Sequence, residues 1–101
     1  MDILPKAKFK HGQICCTEDV KNLMHSDPKF RQFVTKSLAK YMLGNWGNVI
    51  SDDEWYRNDR AARMGSQIMA CYEDPKASFP SLNIMTESHG VRTILFFSEV
   101  H

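Results

Sequence analysis

The chain has 101 residues, 13 of them Lys or Arg and 12 Asp or Glu, so its formal net charge at neutral pH is +1. This balance and the 43% of hydrophobic residues exclude a collagen-like or low-complexity polymer and a disordered charged tail. The length excludes a multidomain enzyme, because one compact domain uses all of it. We expect a single domain over residues 1–101, with residues 1–8 as a flexible arm. A domain of this size has a modest core and little room for a deep substrate pocket.

Two features predict where the protein works. No stretch approaches the roughly 20 consecutive apolar residues that cross a bilayer, and the first ten residues lack the apolar segment of an export signal. The three cysteines, Cys15, Cys16 and Cys71, are an odd number without the spacing of a disulfide framework. Both features predict a cytoplasmic protein that has no membrane contact.

The first predicted elements are a short strand over residues 9–16, with Ile14 as its clearest core residue, and a helix over 18–24. Thr17 is expected to cap this helix by accepting a hydrogen bond from an early backbone N–H. Asp27 as N-cap and Pro28 at the first helical position then predict the start of a second helix.

The second helix, residues 28–43, has the strongest periodic pattern. Its apolar side chains recur at spacings of three and four and are expected to form the centre of the core: Phe30, Phe33, Val34, Leu38 and Tyr41. Gly44 is expected to end it, and the turn over 44–48, Gly-Asn-Trp-Gly-Asn, carries a tryptophan ring that must pack somewhere. Ser51 and Glu54 are spaced as a capping box, which opens a third helix that ends at Gly65.

After Gly65 the apolar pattern changes from helical to alternating. It predicts strands over residues 67–73, 82–86 and 91–97, with a hairpin turn at His89 and Gly90. The order of elements predicts an α+β fold: an N-terminal short strand, three helices and a three-stranded antiparallel β-meander, with the helices packed on one face of the sheet.

Residue types that support catalysis or metal binding occur without a recognisable spacing. Cys15 and Cys16 are adjacent in a predicted strand and point to opposite faces, so they cannot easily bind one metal ion together. Cys71 or Ser66 with His89 would supply a nucleophile and a base, but no known signature surrounds them. We therefore expect no enzyme activity, no metal and no cofactor.

Charged residues suggest two contact surfaces. The acids of the third helix are Asp52, Asp53, Glu54 and Asp59. They fit favourable helix-end electrostatics and pairing with the arginines of the same helix, Arg57, Arg60 and Arg63. A magnesium site and an acidic patch that imitates phosphates are the alternatives. Residues 1–49 carry eight basic and four acidic side chains, whereas residues 50–101 carry five and eight. The basic excess includes lysines that could contact phosphates, with Phe9 or Trp46 as a stacking platform: Lys6, Lys8, Lys10, Lys29, Lys36 and Lys40.

An ordered series of residues over most of the chain resembles a family of small proteins carried on bacterial plasmids, phages and other mobile elements, usually labelled plasmid-related proteins. The series begins with Phe9, Gly12, Gln13, Ile14 and Thr17, and continues with Gly44, Trp46, Gly47, Asn58, Asp59, Gly65 and Ile68. It ends with Tyr72, Ile84, Thr86, Glu87, Thr93, Ile94, Leu95, Phe96, Ser98 and Glu99.

The chain also departs from that family. Asn45 and Asn48 stand where the family usually has aspartates, Phe97 stands where it has a proline, and Val100 where it has an aromatic residue. An amide can neither act as a base nor carry the charge of a carboxylate, so any chemistry of those acids would be lost here. The departure favours binding over catalysis.

The resemblance implies a cytoplasmic protein of the bacterial host that blocks a defence effector of the CRISPR or restriction type by direct binding. The candidate contact residues are Asn45, Trp46, Asn48, Asp52, Asp53, Glu54, Lys36 and Lys40. The alternative is a nucleic-acid-binding accessory protein of a plasmid or phage that uses the lysine row. Neither reading specifies an oligomeric state.

Overall fold

The computed structural model describes residues 4–98, which form three helices and a four-stranded sheet. The elements in chain order are β1 (Gln13–Cys16), α1 (Glu18–Ser26), α2 (Pro28–Met42), α3 (Asp52–Met64), β2 (Ile68–Tyr72), β3 (Leu82–Thr86) and β4 (Arg92–Phe97). A short 3-10 turn, Ser88–Gly90, joins β3 to β4. The predicted α+β class is confirmed.

The sheet differs from the prediction in its strand count. Strands β2, β3 and β4 are antiparallel neighbours, as expected of a meander, but β1 adds to them by pairing in parallel with β4. The strand order is therefore β1-β4-β3-β2 in one mixed sheet. β1 also begins at Gln13 rather than at residue 9. The backbone passes so close to β4 at Gly12 that a Cβ there would lie 2.2 Å from the carbonyl oxygen of Val91.

The helix ends follow local rules with one exception. The Asp27 carboxylate accepts hydrogen bonds from the backbone N–H groups of Lys29 and Phe30, and Ser51 forms the predicted capping box with Glu54. Thr17 is the N-cap of α1, but the predicted hydrogen bond is wrong, because its hydroxyl donates to the Asp19 carboxylate instead. The Asp19 carboxylate also accepts a hydrogen bond from the backbone N–H of Val20, so Asp19 rather than Thr17 satisfies a free N–H group at the start of α1.

The core lies between the helices and one face of the sheet. Four of the five apolar residues expected on α2 are buried, namely Phe30, Val34, Leu38 and Tyr41, and they join the buried residues of the strands in one cluster. Phe33 is only half-buried. Ile14 is 36% exposed, so its predicted place in the core is wrong. β1 is an outer strand of the sheet, and its residues are only partly covered.

Buried hydroxyl groups connect the helices to the sheet. The Tyr41 hydroxyl is 2.7 Å from that of Thr86, which is 2.8 Å from that of Thr93. The Thr93 hydroxyl donates to the carbonyl oxygen of His11 at 2.8 Å. This chain of hydrogen bonds satisfies three buried polar groups and ties α2, β3, β4 and the segment before β1 together.

The described part of the predicted arm, residues 4–8, lies against the domain, while residues 1–3 lie outside the described residues. Leu4 and Ala7 pack against the core, and the backbone N–H of Lys8 donates to the carbonyl oxygen of Met42 at 3.0 Å. Within residues 4–98, no helix has the length and apolar character needed to cross a membrane.

Candidate partner-binding groove

A surface cavity of about 950 Å³ forms an open groove. Its lining comes from one side of α2, the turn at 44–48, the loop between β2 and β3, and Trp55 of α3. The lining residues are Lys29, Gln32, Phe33, Lys36, Ser37, Lys40, Asn45, Gly47, Asn48, Trp55, Tyr72, Glu73, Asp74, Pro75, Lys76, Ser78 and Phe79.

Four of the eight predicted contact residues meet in this groove. Lys36 and Lys40 lie one helical turn apart on α2, and both are exposed. Asn45 and Asn48 follow in the turn, which brings them to the same cavity. The contact role of these four residues stays a prediction, but the fold gathers them on one surface.

The turn that carries the two asparagines is held by its own backbone. The N–H of Asn45 donates to the carbonyl oxygen of Lys40 at 2.8 Å, and the Asn45 side-chain oxygen accepts from the N–H of Gly47 at 3.1 Å. The buried Tyr72 hydroxyl donates to the Asn45 carbonyl oxygen at 2.6 Å. Gly47 lies against β2, where a Cβ would be 2.7 Å from the carbonyl oxygen of Cys71. This part of the groove lining is therefore fixed in place before any partner arrives.

Trp46 lies in the core and not in the groove. Its side chain is 1% exposed, packs edge to face on Tyr41 with ring centroids 5.3 Å apart, and contacts Phe9. The indole N–H donates to the Asp59 carboxylate at 2.9 Å. Trp46 consequently offers no surface to a partner in this conformation. Trp46 is therefore not placed to be the stacking platform considered from the sequence. Phe9 packs on Tyr41 as well and is half-buried, but it lines a different cavity from Lys36 and Lys40.

Besides the buried Tyr72, three partly exposed aromatic side chains line the groove. Phe33, Trp55 and Phe79 are each half-buried against the core and partly open to the cavity. The rings of Phe33 and Phe79 lie nearly parallel, with centroids 5.8 Å apart and an interplanar angle of 25°. Sequence reasoning missed Phe79 because it lies in a polar loop, where no periodic pattern marks it.

The groove carries an excess of positive charge. Four lysines line it, Lys29, Lys36, Lys40 and Lys76, against two acids. Both acids are engaged within the loop, since Asp74 accepts from the backbone N–H of Ser78 at 3.0 Å and Glu73 from the Ser81 hydroxyl at 3.4 Å. Within residues 4–98 the ion pair is Arg92 with Glu87, so no groove lysine is held by a carboxylate.

The acidic start of α3 lies outside the groove lining. Asp52, Asp53 and Glu54 are exposed, and Glu54 takes part in the capping box. The expected pairing of these acids with the arginines of α3 is wrong, because no ion pair joins them in the part of the chain that the structure describes. Helix-end electrostatics alone account for their position.

The nucleophile and base considered from the sequence do not come together. Cys71 pairs with Asn83 across the sheet, whereas His89 follows β3 at the opposite end of that strand. Ser66 and His89 line a second, smaller cavity, but no hydrogen bond joins their side chains. Between residues 4 and 98, no three His, Cys, Asp or Glu side chains are close enough to hold a metal ion.

The thiols should differ in reactivity because of their burial. Cys16 is exposed, whereas burial raises the pKa of the half-buried Cys71 thiol. We expect iodoacetamide at about pH 8 to alkylate Cys16 several-fold faster than Cys71, because the thiolate is the reacting form. Mass spectrometry of timed digests measures both rates. Equal rates in the folded protein would contradict the expectation, and in urea the difference should vanish.

No family model, no curated protein and no solved structure matches this chain. The resemblance to plasmid-related proteins therefore remains a prediction.

Residues that carry the resemblance mainly build the fold. Trp46 donates a hydrogen bond to Asp59, and Tyr72 donates one to the turn at 44–48. Thr86 and Thr93 belong to the chain of buried hydroxyl groups. The groove is lined mostly by other residues, among them Lys36 and Asn48.

Proposed function

We propose that this protein is a non-enzymatic inhibitor from a mobile genetic element, a plasmid or a phage, of the anti-CRISPR type. It acts in the cytoplasm of a bacterial host by binding a CRISPR or restriction effector directly. The observation that carries the proposal is the groove, in which Lys36, Lys40, Asn45 and Asn48 converge beside aromatic side chains.

Several features of the groove support binding. Its lysines are exposed and have no carboxylate partner within residues 4–98, so an anionic surface can approach them without breaking an existing ion pair. The turn that lines the groove is rigid, because hydrogen bonds from Tyr72 and within the turn hold Asn45 in place. A preformed surface loses less conformational freedom on binding and therefore binds more tightly.

The test is inhibition of a panel of purified CRISPR and restriction effectors by the protein at micromolar concentration. We expect the wild type to inhibit at least one effector, and Lys36→Glu with Lys40→Glu to weaken inhibition at least about tenfold, because reversed charges repel an anionic surface. The matched control is Lys21→Glu with Arg60→Glu, which changes the net charge equally at exposed positions outside the groove. It should inhibit like the wild type.

The absence of both inhibition and complex formation across the panel would overturn the proposal. Equal loss in the groove variant and in the control would show that overall charge matters rather than this surface. Circular dichroism of each variant confirms that it is folded.

The second candidate function is that of a nucleic-acid-binding accessory protein of a plasmid or phage. The observation that favours it is the presence of Phe33, Trp55 and Phe79 beside the lysines in one groove. Of the lysines named from the sequence for this role, Lys29, Lys36 and Lys40 line the groove, whereas Lys6, Lys8 and Lys10 do not.

A further inference from the structure

We infer that the ligand of the groove is single-stranded nucleic acid, with its phosphates on the lysine side chains and its bases against the aromatic rings. The inference rests on the groove of the proposed function and names the chemistry that the groove recognises. A defence effector that exposes a guide or displaced strand would present such a ligand.

Phosphate binding follows from the arrangement of the lysines. Lys29, Lys36 and Lys40 lie on one side of α2, and at 1.5 Å per helical residue they span about 16 Å of its axis. Lys76 lines the same groove from the loop between β2 and β3. A strand that lies in the groove would therefore meet four ammonium groups, and each phosphate contact releases counterions.

Base stacking follows from the aromatic side chains that line the same groove. Phe33, Trp55 and Phe79 are only half-buried, so part of each ring is open to a ligand in the cavity. Aromatic rings stack on all four bases and so bind strands of any sequence, but only when the bases are unpaired and turned out of a helix. A duplex keeps its bases stacked inside, so the rings favour a single strand.

The groove fits nucleic acid better than an acidic polypeptide. An acidic peptide would satisfy the lysines, but its carboxylate side chains do not stack on aromatic rings, whereas every nucleotide carries both a phosphate and a flat base. The side chains of Gln32, Asn45 and Asn48 also offer amide donors and acceptors, which match the mixed donors and acceptors of base edges. The Asn45 oxygen is already bonded to Gly47, which leaves its NH2 group for a ligand.

The direct test is fluorescence anisotropy with a labelled oligodeoxythymidylate of about 12 nucleotides. Four phosphate contacts predict a salt slope near −2.8, which is roughly a 50-fold loss of affinity between 50 and 200 mM salt. Lys36→Glu with Lys40→Glu should weaken binding at least about tenfold, and Lys21→Glu with Arg60→Glu less than about threefold.

Stacking is tested separately through the tryptophans. Trp46 is buried and Trp55 lines the groove, so quenching of tryptophan emission on oligonucleotide binding reports on Trp55. Trp55→Ala should remove the quenching and weaken binding about fivefold or more. If that variant does not fold, Phe79→Ala in the loop tests the same contribution, and it too should weaken binding.

Three results would overturn the inference. The first is the absence of oligonucleotide binding at 50 mM salt, and the second is equally tight binding of a duplex. The third is displacement of the oligonucleotide by polyglutamate of equal charge, together with oligonucleotide binding that does not quench the tryptophan emission. If the oligonucleotide does not bind but the protein still inhibits an effector in a way that depends on Lys36 and Lys40, the inference is contradicted and the proposed function is not. If the oligonucleotide binds as predicted but no effector is inhibited, the proposed function falls and the inference stands.

Discussion

Replacing Trp46 with alanine is expected to lower the free energy of unfolding by about 3–5 kcal/mol, a large part of the 5–15 kcal/mol typical of a small domain. The change would leave a cavity beside Tyr41 and Phe9, since the indole is 1% exposed and packs against both rings. It would also deprive the Asp59 carboxylate of its N–H donor. Urea denaturation followed by circular dichroism measures the loss.

Two controls separate the contributions of Trp46. Trp46→Phe keeps most of the apolar volume but loses the N–H, so we expect a smaller cost, in the range of about 1–3 kcal/mol. Trp55→Ala removes a tryptophan that is only half-buried and should cost less than Trp46→Ala. A Trp46→Ala variant that is as stable as the wild type but no longer binds its partner would contradict the core role and restore Trp46 as a contact residue.

Replacing Asn58 with alanine is expected to cost about 2–3 kcal/mol, because Asn58 serves as a hydrogen-bond partner for the outer strand β2. Its side-chain NH2 donates to the carbonyl oxygen of Met69 at 2.8 Å, and its side-chain oxygen accepts from the N–H of Met69 at 3.3 Å. The amide thus occupies the place that a neighbouring strand would take. Without it, the open edge should also promote self-association, which light scattering measures.

The matched control for Asn58 is Asn22→Ala on the exposed side of α1, where we expect a change within about 0.5 kcal/mol. Asn58→Asp gives a sharper test, because a carboxylate cannot donate a hydrogen bond to the Met69 carbonyl oxygen. The partial negative charge of that oxygen beside the carboxylate raises the pKa of the introduced acid in the folded state. The protonated acid can donate, so the stability deficit against the wild type should be smaller at about pH 4 than at pH 7. A deficit independent of pH, or Asn58→Ala as stable as Asn22→Ala, would contradict this role.

Local patterns in the sequence were enough to predict most elements. The apolar spacing of α2, the capping box at Ser51 and the alternation in β2 and β3 each depend on residues within one element, and the structure confirms them. The parallel pairing of β1 with β4 was not predicted. It joins residues about 80 positions apart, such as Ile14 and Thr93, and no short-range pattern encodes such a pairing.

The candidate site was predicted only in part, because some of its residues lie within one element and others come from distant segments. Lys36 and Lys40 were recognisable as one exposed row, because helical spacing fixes their common face. Phe79 and Lys76 belong to the loop between β2 and β3, and only the packing of that loop beside α2 brings them to the groove. Trp46 is a candidate contact residue in the sequence, where nothing shows which way its ring points. In the structure the ring points into the core, where it packs on Tyr41 and donates a hydrogen bond to Asp59.

The sequence by itself thus determined the α+β class, the helix and strand segments and the net charge, since these depend on composition and on periodicity within single elements. The 13 basic and 12 acidic residues fix a net charge of +1, but they leave the location of that charge to the fold. Tertiary structure alone decided that four lysines and three aromatic rings share one groove while Trp46 is buried. Those placements depend on contacts between distant segments, whose free energy arises only when the whole core assembles.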